Sequence, residues 1–138
     1  MPLELVGHER EGIEVLVLSG ILVFGTEVLA LRNEIELLIT SAKVQVLLDL
    51  TNVSLLDATG LGTIRFARDT LREAGGMLAV FSSNPLQTES LVEAEFASVL
   101  EMFPTEQDGI NSFFPERAVK QYDILEFAES LTPKPPNA

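Results

Sequence analysis

A carboxylate, a hydroxyl group and two glycines lie close together near the middle of the chain. Residues 57–62 read Asp-Ala-Thr-Gly-Leu-Gly and follow an apolar run at 44–50 by a short connection. The apolar run predicts a buried strand, and the residues after 59 have helical spacing. This places the six residues at the start of a helix, where unpartnered N–H groups and the helix dipole favour negatively charged groups.

Two roles are open for these residues. Asp57 or Thr59 could simply cap the helix, with Gly60 and Gly62 allowing a tight entry. Alternatively, the junction could be a site for an anionic group or a partner. The residue types alone do not decide between the two roles.

The composition excludes most other chemistry. There is no cysteine and only one histidine, His8, among the 138 residues, which removes disulfides, Fe–S clusters, structural zinc, thiol catalysis and two-histidine metal sites. Asp57 has neither a Walker lysine nor a general-base partner near it. We therefore expect a non-enzymatic protein without a cofactor or a metal.

The charge balance limits the kinds of partner. Nine basic against 21 acidic residues give a net charge of −12, which repels phosphate backbones and anionic lipids. The N-terminus lacks a secretory pattern, and no apolar run approaches the roughly 20 residues that span a membrane. We expect a cytoplasmic protein that binds neither nucleic acid nor membrane.

Strand and helix patterns alternate along the chain. Apolar runs predict strands at 3–10, 13–19, 44–50, 77–81 and 100–103, the first two forming a hairpin. Helical spacing predicts helices from Thr26 (as the cap) to Leu38, at 59–74, at 84–91, from Thr105 and at 116–131. This order predicts an α/β fold with a mixed β-sheet of about four or five strands and helices packed on it.

On the helix at 59–74, a wheel of 100° per residue separates two faces. The predicted inward face consists of Ile64, Ala67, Leu71 and Ala74, together with Thr63, Phe66 and Thr70. Leu61 falls beside the outer face, so it is predicted to be exposed and available to a partner.

The central segment resembles the signature of the STAS family, the bacterial anti-sigma factor antagonists. The residues that carry the resemblance are Asp49-Leu50-Thr51, Val53, Leu56-Asp57, Thr59-Gly60-Leu61-Gly62 and, at a family-like distance, Arg72 to Leu78. The resemblance extends over residues 3–114, which it predicts to be one STAS-like domain. Residues 115–131 are then a C-terminal helical extension and 132–138 a disordered tail.

The resemblance implies a partner switch. Antagonists of this type bind an anti-sigma factor that is a protein kinase with a histidine-kinase-like ATP fold. The kinase phosphorylates the first hydroxyl residue after the aspartate, and the added charge breaks the interface. The partner-binding residues carried over by the motif are Asp57, Ala58, Thr59, Gly60, Leu61 and Gly62.

This chain departs from the family pattern at two positions. Ala58 stands at the phosphoacceptor position and has no oxygen, so switching is lost, constitutive or shifted to Thr59. Val23 stands where many family members have an acidic residue. A second function therefore stays open, that of an accessory or ligand-sensing STAS module in a stress-signalling or transport complex. The C-terminal helix could in addition form a homodimer.

Overall fold

The computed structural model describes residues 3–83 and 102–117. These residues contain one mixed β-sheet with helices packed on it. Its strands, in chain order, are β1 (Glu4–Arg10), β2 (Ile13–Leu22), β3 (Gln45–Leu56), β4 (Met77–Phe81) and β5 (Met102–Phe103). The helices are α1 (Thr26–Thr40), α2 (Ala58–Glu73) and α3 (Glu106–Asn111). The α/β fold class and the strand number agree with the sequence prediction.

The strands lie in the sheet in their chain order, β1-β2-β3-β4-β5. β1 and β2 form the predicted antiparallel hairpin, and the remaining neighbours are parallel. α1 is the crossover from β2 to β3, and α2 is the crossover from β3 to β4. The ends of β2 and β3 therefore meet the starts of α1 and α2 at the same edge of the sheet.

The first half of the central strand β3, residues 46–50, is mainly apolar because both of its faces are covered. Val46, Leu48 and Leu50 pack in a core shared with α1 and α2. Leu47, between them, points to a second core with Phe103 and Ile110 near α3. The two cores fix the sheet between helices and so hold the edge at which α2 begins.

Of the local sequence predictions, the bounds of β4 and the cap of α3 were confirmed, and the cap of α1 was wrong. β4 has its predicted bounds, and Thr105 caps α3 as its side chain accepts a hydrogen bond from the Asp108 backbone N–H at 3.1 Å. The prediction that Thr26 caps α1 was wrong, because the cap is Gly25 and no side chain bonds there. Gly25 has φ 133°, a conformation that favours glycine.

Two predicted helices fall on residues that are not fully described. The helix at 84–91 lies outside the described residues. Of the helix predicted at 116–131, only Glu116 and Arg117 are described, and they lie in a turn and bend after Pro115. The tail at 132–138 is also outside the described residues. Within residues 3–83 and 102–117, no helix has the length and apolar character required to cross a membrane.

The two-core arrangement predicts unequal effects for two leucines. Leu48→Ala opens a cavity in the fully buried centre of β3 and should lower the free energy of unfolding by about 2–5 kcal/mol. Leu37→Ala, on α1, removes a side chain that is 61% exposed and should change it by less than about 0.5 kcal/mol. Urea denaturation of both variants measures the difference, and equal losses would contradict the assignment of the core.

Candidate functional site

The junction between β3 and α2 is the candidate site. β3 continues to Leu56, so the segment that the sequence predicted as a short connection is strand, paired with β2 as far as Leu22. Asp57 alone separates strand from helix, with an extended backbone at φ −104° and ψ −179°. The helix thus starts directly at the end of the sheet.

The Asp57 carboxylate holds two elements together. One oxygen, Oδ1, accepts a hydrogen bond from the Gly60 backbone N–H at 2.7 Å and so caps α2. The other, Oδ2, accepts from the Phe24 backbone N–H at 2.9 Å, in the turn before α1. Of the two caps the sequence allowed, Asp57 is the one present.

These hydrogen bonds also set the charge of the site. The Phe24 backbone N–H first, and then that of Gly60, lower the pKa of Asp57 below its ordinary value of 3.8. The carboxylate is therefore ionised at neutral pH. A fixed negative charge lies beside the exposed start of α2.

Gly60 is required by a close approach of two backbones. A Cβ added at this residue would lie 2.1 Å from the carbonyl oxygen of Leu22 and 2.9 Å from a methyl carbon of Leu56. No side chain fits in that space, since real Cβ contacts are longer than 3.0 Å. Gly60 thus lets the first turn of α2 press against the end of β2.

Gly62 has no such explanation within the described residues. A Cβ added there would have no neighbouring atom within 4 Å, and the residue is exposed. Glycine inside a helix costs about 0.5–1 kcal/mol relative to alanine. The two glycines of the motif therefore have different physical roles.

The prediction that Leu61 is exposed was wrong. Its side chain is 5% exposed and belongs to the core that also contains Ile64. The close approach at Gly60 brings the first turn of α2 onto the sheet, and Leu61 lies one turn before Ile64 on the covered side. Of the six residues carried over from the motif, Ala58, Thr59 and Gly62 are exposed, and Asp57 is partly buried.

The predicted inward face of α2 was wrong at two further positions, Phe66 and Ala74, both of which are exposed. Ile64, Ala67 and Leu71 are buried, whereas Phe66 is 41% exposed. The Arg32 guanidinium of α1 lies over the Phe66 ring, 4.4 Å from its centroid. A cation–π contact of this kind stabilises an exposed ring.

Two exposed apolar residues at the junction were missed by the sequence prediction. Phe24 is 79% exposed and Leu55, near the end of β3, is 56% exposed. Phe24 lies next to Val23, where the sequence drew attention only to a missing acidic residue. The sequence did contain a signal for the exposure of Phe24. This residue lies between a strand and Gly25, in a turn, where side chains are not necessarily buried.

The first residues of the motif have a structural role. Asp49 Oδ1 accepts a hydrogen bond from the Thr51 backbone N–H at 2.9 Å. The Thr51 hydroxyl in turn accepts a hydrogen bond from the Ser83 backbone N–H at 3.1 Å, which connects β3 to the residues just after β4.

In the described part of the chain, no three acidic or histidine side chains group as metal ligands.

The fold and this junction identify the class of protein. Residues 5–109 match the STAS domain family, which is more than half of the chain, so the chain belongs to that family. The resemblance inferred from the motif is thereby confirmed. Among curated protein sequences, none matches the chain.

Solved structures with the same fold include anti-sigma factor antagonists. One from Mycobacterium paratuberculosis is 19% identical with a TM-score of 0.68, covering 80% of this chain and 92% of that one. The antagonist SpoIIAA in its unphosphorylated form is 19% identical with a TM-score of 0.60, covering 82% and 98%. The phosphorylated SpoIIAA of Bacillus is 18% identical with a TM-score of 0.57, covering 80% and 98%. At these identities the likeness is one of fold.

The two glycines of the junction predict opposite changes in stability. Gly60→Ala forces a Cβ against the Leu22 carbonyl and should lower the free energy of unfolding by roughly 1–3 kcal/mol. Gly62→Ala places a methyl group in open space and should raise it by about 0.5–1 kcal/mol. Chemical denaturation of both variants and of the wild type measures the two changes in the free energy of unfolding. A loss at Gly62 would contradict the open space described there.

The lowered pKa of Asp57 predicts a dependence of stability on pH. The folded state prefers the ionised carboxylate more than the unfolded state does, because two backbone N–H groups bind it. The resulting stabilisation is present at neutral pH, and it is lost as the pH falls through 3.8 and then through the lower folded value. Thermal melts at pH 3–7 should show the wild type losing more stability on acidification than Asp57→Asn. Parallel pH profiles would contradict the prediction.

Proposed function

We propose that this STAS domain is a protein-interaction module that binds a histidine-kinase-like anti-sigma factor, as an anti-sigma factor antagonist does. The observation that carries the proposal is the exposed start of α2, anchored by Asp57 at the motif positions. Ala58 and Thr59 both face outward there. The proposal needs no enzymatic step, because binding alone would release the factor that the kinase restrains.

The proposal includes a loss of the usual switch. SpoIIAA exists in phosphorylated and unphosphorylated forms. In this chain Ala58 has no hydroxyl to accept a phosphate, and Thr59 lies about 100° further round the helix. A kinase that addresses position 58 has no substrate, so the antagonist stays competent to bind.

Charge explains why a phosphate at this place would matter. A phosphate group adds roughly −1.5 to −2 charges at neutral pH. It would lie next to the ionised Asp57 carboxylate, on a chain whose net charge is already −12. An interface formed around α2 would have to accommodate this charge without water, which is costly.

The first test is capture of partners by the full chain from a lysate of its native cells, with and without ATP. Mass spectrometry identifies the captured proteins and any phosphate on the bait. We expect a kinase-like ATPase that stays bound in ATP, with no added phosphate mass on the chain. Release in ATP with a phosphate on Thr59 would instead establish a shifted switch. Capture without such an ATPase would contradict the proposal and favour the accessory-module function.

Ala58→Ser restores a hydroxyl at the acceptor position and provides the matched variant. Because position 58 is exposed, the substitution should leave the fold unchanged. With the purified ATPase, the variant should gain one phosphate in ATP and bind at least tenfold more weakly afterwards, while the wild type does neither. Thr59→Val, which removes the other hydroxyl, controls for modification there. An Ala58→Ser variant that is modified and still bound would contradict the charge argument.

A further inference from the structure

Four exposed apolar residues lie close to Asp57 along the chain or through a hydrogen bond, and we call them the junction surface. Its members are Phe24, Leu55, Ala58 and Gly62. Phe24 is adjacent through its backbone hydrogen bond to Asp57, and Leu55 precedes Asp57 by two residues. Gly62 lies one helical turn beyond Ala58 on the same side of α2. The surface is apolar in a chain that is otherwise strongly acidic.

Phe24 is the most exposed of the large apolar side chains on this surface. Its side chain is 79% exposed, the highest value for any large apolar side chain in the described residues. Its backbone is nevertheless fixed, because its N–H is bound by Asp57 and the following Gly25 makes the turn into α1. A ring held outward on a fixed backbone loses little conformational freedom when it is buried by a partner.

Gly62 gives the second, independent observation. Nothing within the described residues requires a glycine there, and it weakens the helix that contains it. A missing side chain on an exposed helix face allows the backbone of another element to approach closely. The surface therefore combines an exposed aromatic ring with an exposed helix position that lacks a side chain, one turn beyond Ala58.

The charges around Phe24 indicate the chemistry of what would cover it. The Asp57 carboxylate accepts a hydrogen bond from the Phe24 backbone N–H, and a Glu27 carboxylate oxygen lies 3.0 Å from the position of a Cβ at the neighbouring Gly25. The net charge of −12 adds a wider negative field. A partner surface that fits is apolar at its centre and basic at its rim.

We propose that Phe24 is the apolar anchor of the interface with the kinase-like anti-sigma factor, and that it enters an apolar pocket with a basic rim on that partner. The proposal rests on the proposed function and adds the residue that determines affinity. Gly62 admits the partner backbone beside α2.

The test uses the full chain and the purified ATPase identified by capture, with affinity measured by calorimetry. Phe24→Ala should weaken binding roughly 30-fold or more, as truncation of a central aromatic anchor does. Leu37→Ala is the matched control: it truncates another exposed apolar side chain, about 16 Å further along α1 than Thr26, and should leave the affinity within about twofold. Thermal melts should show both variants folded like the wild type.

Gly62→Leu gives a second measurement that does not depend on Phe24. The isolated chain has space for the new side chain and should keep or gain thermal stability. The same side chain would hold the partner backbone away and should weaken binding at least tenfold. Raising the salt concentration should weaken wild-type binding, because the basic rim of the partner would be screened.

The outcomes separate the two proposals. Tight wild-type binding that Phe24→Ala leaves unchanged would overturn the anchor and retain the proposed function. A wild-type chain that captures no kinase-like ATPase would overturn both. If the wild type forms a dimer in sedimentation and Phe24→Ala makes it a monomer, the ring is covered by a second copy of this chain, and the partner assignment is wrong.

Discussion

One carboxylate determines the geometry of the candidate site. Asp57 binds the backbone N–H of Gly60 with one oxygen and that of Phe24 with the other, so a single side chain fixes both helix starts relative to each other. The hydrogen bond from the Phe24 N–H to Asp57 can form because Gly60 lets α2 approach the Leu22 carbonyl closely. Any larger residue at position 60 would move the helix, and the exposed residues of the junction would move with it.

The sheet holds this arrangement in place through the ends of β2 and β3. β2 and β3 run parallel as far as Leu22 and Leu56, with two irregularities in their register along the way. Their carboxyl ends therefore reach the same edge, where the two crossover helices begin. The preceding half of β3, residues 46–50, is covered on both faces, so this end of the sheet continues directly from the most buried part of the strand. The junction is thus placed on a rigid element, as the proposed role in recognition would require.

At the junction, the residues that set the geometry are not the residue that stands at the phosphoacceptor position. Asp57 and Gly60 keep the geometry that the STAS motif encodes, while Ala58 removes the hydroxyl that the motif would offer to a kinase. Phe24 and Gly62 are both exposed at the junction, and neither side chain can be titrated or phosphorylated. This composition supports the proposal of a partner that stays bound, because nothing at position 58 can change its charge.

The sequence by itself determined the α/β class, β4 and the family, because these depend on local spacing and on short motifs, whereas it left the cap of α2 open between Asp57 and Thr59. It predicted the burial of Leu61 and Phe66 wrongly and missed the exposure of Phe24. A helical wheel gives the angle between side chains on one helix but does not show how closely the helix lies on its sheet. That distance is set by the backbone contact between Gly60 and Leu22, residues 38 positions apart. Only the tertiary structure decides it, since burial depends on which distant segments pack together.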